Sequence, residues 1–451
     1  MAEVAATEAS APGRYDGAAV SKPPKAPESG SRSGLSTVTT EWLAASDPAG
    51  RKSRGQYMTP RPVAEALLDR VLLVPGMTVL DPGVGTGELL RAALDREPGI
   101  RASGWDADPD VLEAAGRLVP EANLSVRSAL EARDAGEWDL VIGNPPYFQL
   151  RLDGARRERF TAVISGRPNI FALFFQVGLE QLRPGGTLAY IVPPSMNSGA
   201  YFEGLREYLT AAARIVNLTI LPGTGIFEGA NTAVQLLVLK KREGPIGEWV
   251  SAPEPFAFRR EVPEAGFRRV IFSPEPARLA GEFEGRRTLW ELGLEASTGQ
   301  VIWNENRNRL SADPGPGRVP LVWSHSIPDG PGGGGLRGPE WSGPGRPDKP
   351  GFYDTRDGGR KPLSGPAIVV NRVVGAVGRG ELRAALIPEG SEFLAENHVN
   401  VILPRPGAGQ AVDWEGVLAS LRAPGVAGRV RLLTGNTQIS ARELTHLLPL
   451  D

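Results

Sequence analysis

No cysteine occurs among the 451 residues, which removes disulfides, thiolate metal ligands and any cysteine nucleophile at once. Histidine is almost as scarce. His325, His398 and His446 lie far apart and form no H-x-x-x-H pattern, so they are expected to make structural or polar contacts and no metal site is expected. The chain also lacks a basic leader followed by an apolar core, and it has no apolar run of about 18 residues; a soluble, cytoplasmic protein without a membrane partner is expected. With a net charge of -2 there is no global sign, so a nucleic-acid partner would have to meet a locally basic face. Bulky apolar side chains are nearly missing from residues 1–40. That stretch cannot offset the entropy of ordering and is expected to be a disordered tail.

The remainder, in a chain that is 41% hydrophobic and 23% charged, is long enough for two domains with cores of their own. Its most informative stretch is Asn144-Pro145-Pro146-Tyr147, directly behind the apolar run Asp139 to Gly143. A buried strand ending there delivers these residues to its carboxyl edge, where open parallel α/β sheets bind ligands. The prolines donate no N–H and fix φ, which restricts Asn144 and leaves the Pro145 carbonyl a bare acceptor. The Asn144 carboxamide adds a second acceptor, and Tyr147 offers a flat face for an extruded base. Two convergent acceptors beside a ring form a socket for a planar amine. Average residue usage yields this tetrad by accident in roughly one chain in a thousand of this length.

Around the tetrad the pattern alternates. A helix is expected after Thr59-Pro60, a short strand at Thr78 to Asp81, a glycine turn and a helix, a strand at Ala102 to Asp106, a helix at Pro109 to Leu118, and a strand at Leu124 to Val126. After the strand that ends at Asn144 come a helix at Ile170 to Leu182, a strand at Thr187 to Pro193, and two apolar runs, Ile215 to Leu221 and Thr232 to Leu239, that read as an antiparallel pair at the sheet edge. This is a Rossmann-like, seven-stranded α/β sheet. The βα rhythm then stops. Between Asp329 and Gly351, 9 Gly and 5 Pro fill 14 of 23 positions and predict a loop. Short strands at Ala367 to Arg372 and Asn400 to Leu403 and a helix at Asp413 to Leu421 predict an α+β second domain. The expected boundaries are 1–40 for the tail, 41–243 for the sheet domain, 244–284 for a connector and 285–451 for the second domain.

The glycine turn, Asp81-x-Gly83-x-Gly85-x-Gly87, permits close backbone approach to a ligand. Glu88 stands where a dinucleotide fold wants a small residue beside the pyrophosphate, so a phosphate-bearing cofactor is disfavoured. A cofactor with a ribose and an amino-acid tail suits the loop better, and Asp106, at the end of the next strand, can accept both ribose hydroxyls. S-adenosylmethionine is that cofactor. The alternative for Asp106 is a helix cap, for which Asp108 is the better candidate.

The order of these motifs, from Gly55 to Pro60, Asp81 to Gly87, Asp106, Asn144 to Tyr147 and then a variable C-terminal region, resembles the γ-class N6-adenine DNA methyltransferases of bacterial restriction-modification systems. The resemblance covers roughly residues 50 to 451. It implies that Thr59 and Pro60 lie along the methionine end of the cofactor, that Asp81, Gly83 and Gly85 surround it, and that Phe227 packs against a flipped adenine, with ordinary core packing as the alternative for that ring. It also implies that Ser128 and Ala129 flank the cofactor adenine. Ser128 departs from the family there, since an acidic residue is usual and a hydroxyl accepts the same bond more weakly. Residues 285–451 become the DNA target-recognition domain, and the absence of cysteine closes the related chemistry at C5 of cytosine.

The resemblance implies double-stranded DNA as partner, a monomer, and a separate restriction endonuclease encoded nearby; no acidic pair with a following Glu-x-Lys marks a nuclease within this chain. Basic clusters suit that partner: Arg151, Arg156, Arg157, Arg159 and Arg167 behind the tetrad, Arg307 and Arg309 in a segment rich in asparagine, and Arg372, Arg379 and Arg383. The other readings are methylation of ribosomal RNA or of a protein glutamine, which shares the first domain, and a catalytically silent DNA-binding subunit.

Overall fold

The computed structural model describes residues 34–451 except 134–135, 167, 222–225, 228–232, 245–253, 329–334, 339–348, 373–381, 410 and 435–437. Of the tail expected over 1–40, residues 1–33 lie outside this description, while residues 37–40 already form a helical turn. Three helices, α1 (Thr37–Ala45), α2 (Pro48–Arg54) and α3 (Arg61–Leu68), precede the alternating region. Helix α1 has a sequence of low intrinsic propensity, Thr-Val-Thr-Thr at its start, so its stability comes from tertiary contacts. Ser36 caps it and Thr39 is fully buried.

The alternation then runs β1 (Thr78–Asp81), α4 (Glu88–Arg96), β2 (Arg101–Asp106), α5 (Pro109–Leu118), β3 (Asn123–Val126), β4 (Trp138–Gly143), α6 (Gly154–Arg159), α7 (Ile170–Gln181), β5 (Leu182–Val192), α8 (Glu203–Ala212), β6 (Ala213–Ile220) and β7 (Gln235–Lys241). The strands form one sheet in the order β3-β2-β1-β4-β5-β7-β6. Strands β1 to β5 are parallel, and β7 runs antiparallel between β5 and β6. Strand β5 starts before the expected Thr187. Its Pro184-Gly185-Gly186 segment lies at a slip in register against β4, between the pairs Trp138–Leu182 and Leu140–Thr187, and regular pairing starts at the expected Thr187.

Both faces of the central strands are covered, which explains the unbroken apolar runs of β4, β5 and β7. On β4, Leu140 and Ile142 join the layer formed by α3, α4 and α5, while Val141 faces α7. Residues alternate likewise on β5 (Ala189 and Ile191 against Leu188 and Tyr190) and on β7 (Leu236 and Val238 against Leu237 and Leu239). Burial on both sides holds the carboxyl ends of β1, β2 and β4 rigidly in line.

A hairpin, β8 (Ala257–Val262) and β9 (Phe267–Phe272), connects this region to the C-terminal part. Val270 and Phe272 pack into the sheet core, while Val262, Phe267 and Ile271 enter the C-terminal core. The fully buried Arg206 of α8 fastens the joint by donating to the carbonyls of Val270 (2.6 Å), Met196 (2.7 Å) and Gly199 (2.8 Å). Beyond it an antiparallel sheet orders Leu294–Thr298, Val399–Pro404, Ala367–Asn371 and Ala384–Ile387, and Trp414–Arg422, Val426–Thr434 and Ala441–His446 are helices whose apolar residues share its core. A second, mixed sheet of five short strands lies beside it in sequence, from Leu310–Ser311 to Glu392–Ala395. Most of the glycine- and proline-rich stretch expected as a loop is outside the described residues.

Candidate active site

Strand β4 ends at Gly143 and places Asn144 half-buried at the carboxyl edge, next to the ends of β1 and β5. The Asn144 amide is pinned from both sides. Its Nδ2 donates to the Tyr57 carbonyl at 3.1 Å and to the Thr59 hydroxyl at 3.3 Å. Its Oδ1 lies 2.6 Å from the Tyr147 hydroxyl, which is also 2.8 Å from the Ile191 carbonyl on β5. One hydroxyl proton serves only one of these acceptors at a time. Burial raises the Tyr147 phenol well above its usual range, so it remains a donor.

The loop that carries Tyr57 and Thr59 reaches the tetrad because Gly55 allows it. Gly55 caps α2 at φ +63°, and a Cβ there would come within 3.0 Å of the Tyr147 nitrogen and of the Phe148 ring. Only glycine takes this conformation at this distance without strain.

Beside Asn144 opens a cavity of about 540 Å³. Arg54 to Thr59, the loop from Asp81 to Thr86, Asp106 to Asp110, Ser128 to Leu130, and the apolar side chains Phe148, Ile170 and Phe174 form its wall. Asp81 accepts the Gly83 N–H at 3.0 Å, and burial pushes its carboxyl up to about 7. Asp106 accepts the N–H of Gly85 (3.1 Å) and of Asp108 (3.0 Å), and burial raises it as well. Capping of α5 falls to Asp108, which accepts the Asp110 N–H at 3.1 Å and the Gln56 amide at 3.0 Å, so Asp106 is spared that task.

Charge defines what this cavity takes. Asp81, Glu88, Asp106, Asp108 and Asp110 line it against the single guanidinium of Arg54. A pyrophosphate would meet carboxylates there, whereas a cationic, phosphate-free ligand is favoured. Two glycines shape the floor: at Gly83 a Cβ would press on Phe174 at 3.1 Å, and Gly85 takes φ +53° beneath Met58. Among the described residues no group of His, Asp or Glu is arranged to hold a metal ion.

Of the residues named from the sequence, Thr59, Asp81, Gly83, Gly85, Asp106, Ser128, Ala129, Asn144 and Pro146 meet on this wall. Ser128 precedes a short 3-10 turn at Ala129–Glu131 without capping it by its side chain. Pro60, Pro145, Tyr147 and Phe227 are not on the wall. Pro60 is the N-cap residue of α3, and Phe227 is 1% exposed, packed in the core with its ring centroid 6.4 Å from that of Tyr57. As it stands, Phe227 offers no face to a ligand.

The arginines divide by what they bind. On α6, Arg156 pairs with Glu131 at 2.6 Å, while Arg157 is exposed. Arg307 is exposed and lies 4.9 Å from the centroid of the Trp303 ring. Arg309 instead donates to the carbonyls of Arg356 (2.7 Å) and Asp357 (2.9 Å), which ties two turns together. Arg372 reaches the Asn397 carbonyl at 3.5 Å. Arg167 and Arg379 lie outside the described residues.

The sequence reading missed the cover over the glycine loop. Ser36 donates its N–H (2.8 Å) and its hydroxyl (2.7 Å) to Glu88, and the Thr39 and Thr86 hydroxyls lie 2.7 Å apart. A serine followed by Thr-Val-Thr-Thr is a legible cap, but nothing local signals a helix behind it.

Comparison with known proteins places these features in context. Residues 110–227 match the model of the Eco57I restriction-modification methylase family. Modification methylase CviBIII of Paramecium bursaria Chlorella virus NC1A is 27% identical over 212 residues, which are 46% of this chain and 55% of that protein. Type II methyltransferase M.BsuBI of Bacillus subtilis is 24% identical over 91% of this chain and 90% of its own length. A release factor glutamine methyltransferase of Caulobacter vibrioides is 31% identical over 29% of this chain and 52% of its own length. The chain thus spans little more than half of CviBIII, and 62% of the related M.CvrRI of Paramecium bursaria Chlorella virus XZ-6E. The likeness to the Eco57I restriction-modification methylase family thus runs from α5 to Phe227 and takes in the tetrad behind β4.

Proposed function

We propose that the protein is a site-specific DNA methyltransferase that transfers a methyl group from S-adenosylmethionine to N6 of an adenine flipped out of duplex DNA, as the modification enzyme of a restriction-modification system. The observation that carries this reading is Asn144, pinned through Nδ2 so that Oδ1 is held as an acceptor at the rim of a carboxylate-lined cavity. S-adenosylmethionine supplies a methyl group activated by its sulfonium. Asp81 and Asp106 provide the negative surroundings that such a cation favours, and Asp106 is free of capping duty to meet the ribose. Thr59, Gly83, Gly85, Ser128 and Ala129 complete the seat.

The protein's part in the reaction is positioning. An adenine amine is a weak nucleophile because its lone pair is delocalised into the ring. Acceptance of its two hydrogens by Asn144 Oδ1 and the Pro145 carbonyl favours a pyramidal nitrogen whose lone pair faces the methyl group. The Tyr147 hydroxyl then turns to donate to the Ile191 carbonyl, which leaves Asn144 to the amine. No titrating base is required at Asn144, because the nitrogen, cationic once methylated, is strongly acidic and releases its proton to water after the transfer. A base buried in a duplex cannot reach this rim, so flipping is part of the reaction. Phe227 meets the flipped base only after its ring leaves the core beside Tyr57.

Residues 285–451 serve target recognition in this reading, with Arg157 and Arg307 as the exposed cations available to phosphates or guanine edges. A glutamine amide would fit the same socket, and the release factor enzyme is the relative that raises it. DNA is favoured because the similarity to M.BsuBI runs through the C-terminal part, over 91% of the chain, whereas the similarity to the release factor enzyme covers 29%. The test is transfer of labelled methyl from S-adenosylmethionine to unmethylated genomic DNA, with Asn144→Ala as control. Label in N6-methyladenine at one recurring sequence, lost in the control, is expected. Label only in a protein or RNA acceptor overturns the reading.

A further inference from the structure

Glu88 is used twice by this fold, and only one use is visible in its hydrogen bonds. It is the first residue of α4, it is 7% exposed, and it lines the cavity. Its Oε1 accepts both donors of Ser36, the residue that caps α1. Its Oε2 has no protein partner among the described residues. On the cavity wall that oxygen is open to a ligand's cation, with which a carboxylate forms a charge-assisted hydrogen bond.

The neighbouring wall residue repeats the arrangement. Thr86 also lines the cavity, and its hydroxyl meets that of the fully buried Thr39 on α1. Two consecutive contacts from the ligand seat therefore hold the first turn of α1. Whatever orders Glu88 and Thr86 also orders the helix above them.

An amino-acid tail brings a carboxylate and an ammonium together. The carboxylate suits the N-terminus of α4, where backbone N–H groups lack intrahelical partners. The ammonium beside it then falls to the first side chain of that helix. The other acids have prior engagements: Asp106 accepts two backbone N–H groups, and Asp108 accepts from Asp110 and Gln56. Asp110 is exposed at the start of α5, and Asp81 is the remaining buried competitor, separated by the test below.

We propose that Glu88 accepts the ammonium of the cofactor's amino-acid tail on one carboxylate oxygen while the other holds Ser36, so that cofactor binding latches α1 over the glycine loop. The proposal rests on the cofactor reading above. It makes α1 a cover whose closure the tail alone promotes, because only a ligand with an ammonium interacts differently with the docked and undocked helix.

S-adenosylhomocysteine and 5′-methylthioadenosine separate the two halves of the ligand, since both carry a neutral thioether on adenosine and only the first has the tail. In Glu88→Gln the amide oxygen can still accept from Ser36, so α1 stays docked while the charge is gone. Calorimetric titration of the full chain is expected to show S-adenosylhomocysteine weakened about tenfold or more in Glu88→Gln, in keeping with loss of one charged hydrogen bond, and methylthioadenosine within a factor of about two. Hydrogen exchange of Thr37–Ala45 in the wild type is expected to slow with S-adenosylhomocysteine and not with methylthioadenosine. Ser36→Ala removes the hydroxyl donor and keeps the N–H, so by linkage it should weaken S-adenosylhomocysteine by part of the factor by which that ligand tightens α1. Equal weakening of both ligands by Glu88→Gln, no weakening of either, or loss of tail selectivity in Asp81→Asn alone would overturn the proposal. Failure of the wild type to bind either ligand would overturn the cofactor reading with it.

Discussion

The Tyr147 hydroxyl lies 2.6 Å from Asn144 Oδ1, the atom that an incoming amine needs as its acceptor. The same hydroxyl has a second acceptor 2.8 Å away in the Ile191 carbonyl. The tetrad therefore satisfies itself when no base is present and yields its acceptor by a proton rotation with no shift of backbone. Tyr147→Phe removes the placeholder and leaves the Nδ2 bonds to Tyr57 and Thr59 in place. Its methyl transfer to DNA should fall by less than about tenfold, whereas Asn144→Ala should lose about 10³-fold, the range seen when a preorganised polar contact to a reacting group is deleted. Single-turnover methylation of both variants checks this. An equal loss in the two would mean that the hydroxyl itself contacts the base.

Gly55 is where the N-terminal loop and the tetrad touch. An alanine there would adopt φ +63° and bring its Cβ to 3.0 Å from the Tyr147 backbone. The left-handed conformation alone costs about 1–2 kcal/mol in a residue with a Cβ. Because the loop also carries Tyr57 and Thr59, displacement would free the Asn144 amide to turn over. Gly55→Ala should lower the unfolding midpoint modestly and methyl transfer far more. Thermal unfolding monitored beside the methylation rate would show this uncoupling; parallel losses would speak against it.

The strands of the sheet and the restricted backbone of Asn144-Pro145-Pro146-Tyr147 were legible because their determinants are local or periodic. Continuous apolar runs announce a sheet covered on both faces, and Asn-Pro-Pro-Tyr restricts its own backbone. Phe227 and α1 were hard to read for the opposite reason. An aromatic gives the same signal whether it faces Tyr57 in a core or a ligand, and only three-dimensional packing assigns it. Helix α1 is held by Glu88 and Thr86, 52 and 47 residues away from their partners, so no window of sequence contains the reason it forms. Pro184-Gly185-Gly186 was legible as an interruption, since pairing with β4 skips from Leu182 to Thr187 and pairing with β7 starts at Thr187.

Asp81 gives the cavity a pH signature. Its folded-state value of about 7 lies above its ordinary 3.8 because of burial. Below about pH 4 both folded and unfolded chains hold the proton. Between there and pH 7 the unfolded chain ionises while the folded one does not, so this residue's contribution to stability is lost as pH rises. A cationic ligand reverses the preference, because it favours the ionised carboxylate. Affinity for S-adenosylmethionine should therefore increase from pH 6 to 8 and then level off, and Asp81→Asn should flatten the rise. Titrations across that range measure it, and an unchanged slope in the variant would assign the effect elsewhere.

Arg307 and Arg309 are two residues apart, yet their surroundings predict opposite phenotypes. Arg309 is committed to the carbonyls of Arg356 and Asp357, and Asp357 itself sits at φ +48°. Arg309→Ala leaves those carbonyls without a charged donor and should destabilise the protein by about 1–3 kcal/mol. Arg307 is exposed; its contact with the Trp303 ring and a 3.5 Å hydrogen bond from Nη2 to Asn304 Oδ1 restrain the guanidinium and leave its other donors open. Arg307→Ala should leave stability within about 0.5 kcal/mol, as for a surface substitution. Its effect should appear in DNA binding, where loss of a phosphate contact reduces the slope of log K against log salt by about 1. Arg157 on α6, likewise exposed, should behave as Arg307 does. If Arg307 instead contacts a guanine edge, the salt slope will hold while discrimination at one position of the methylated sequence relaxes by about 1–3 kcal/mol, so salt titration and modified-base mapping on the same variant separate the two modes.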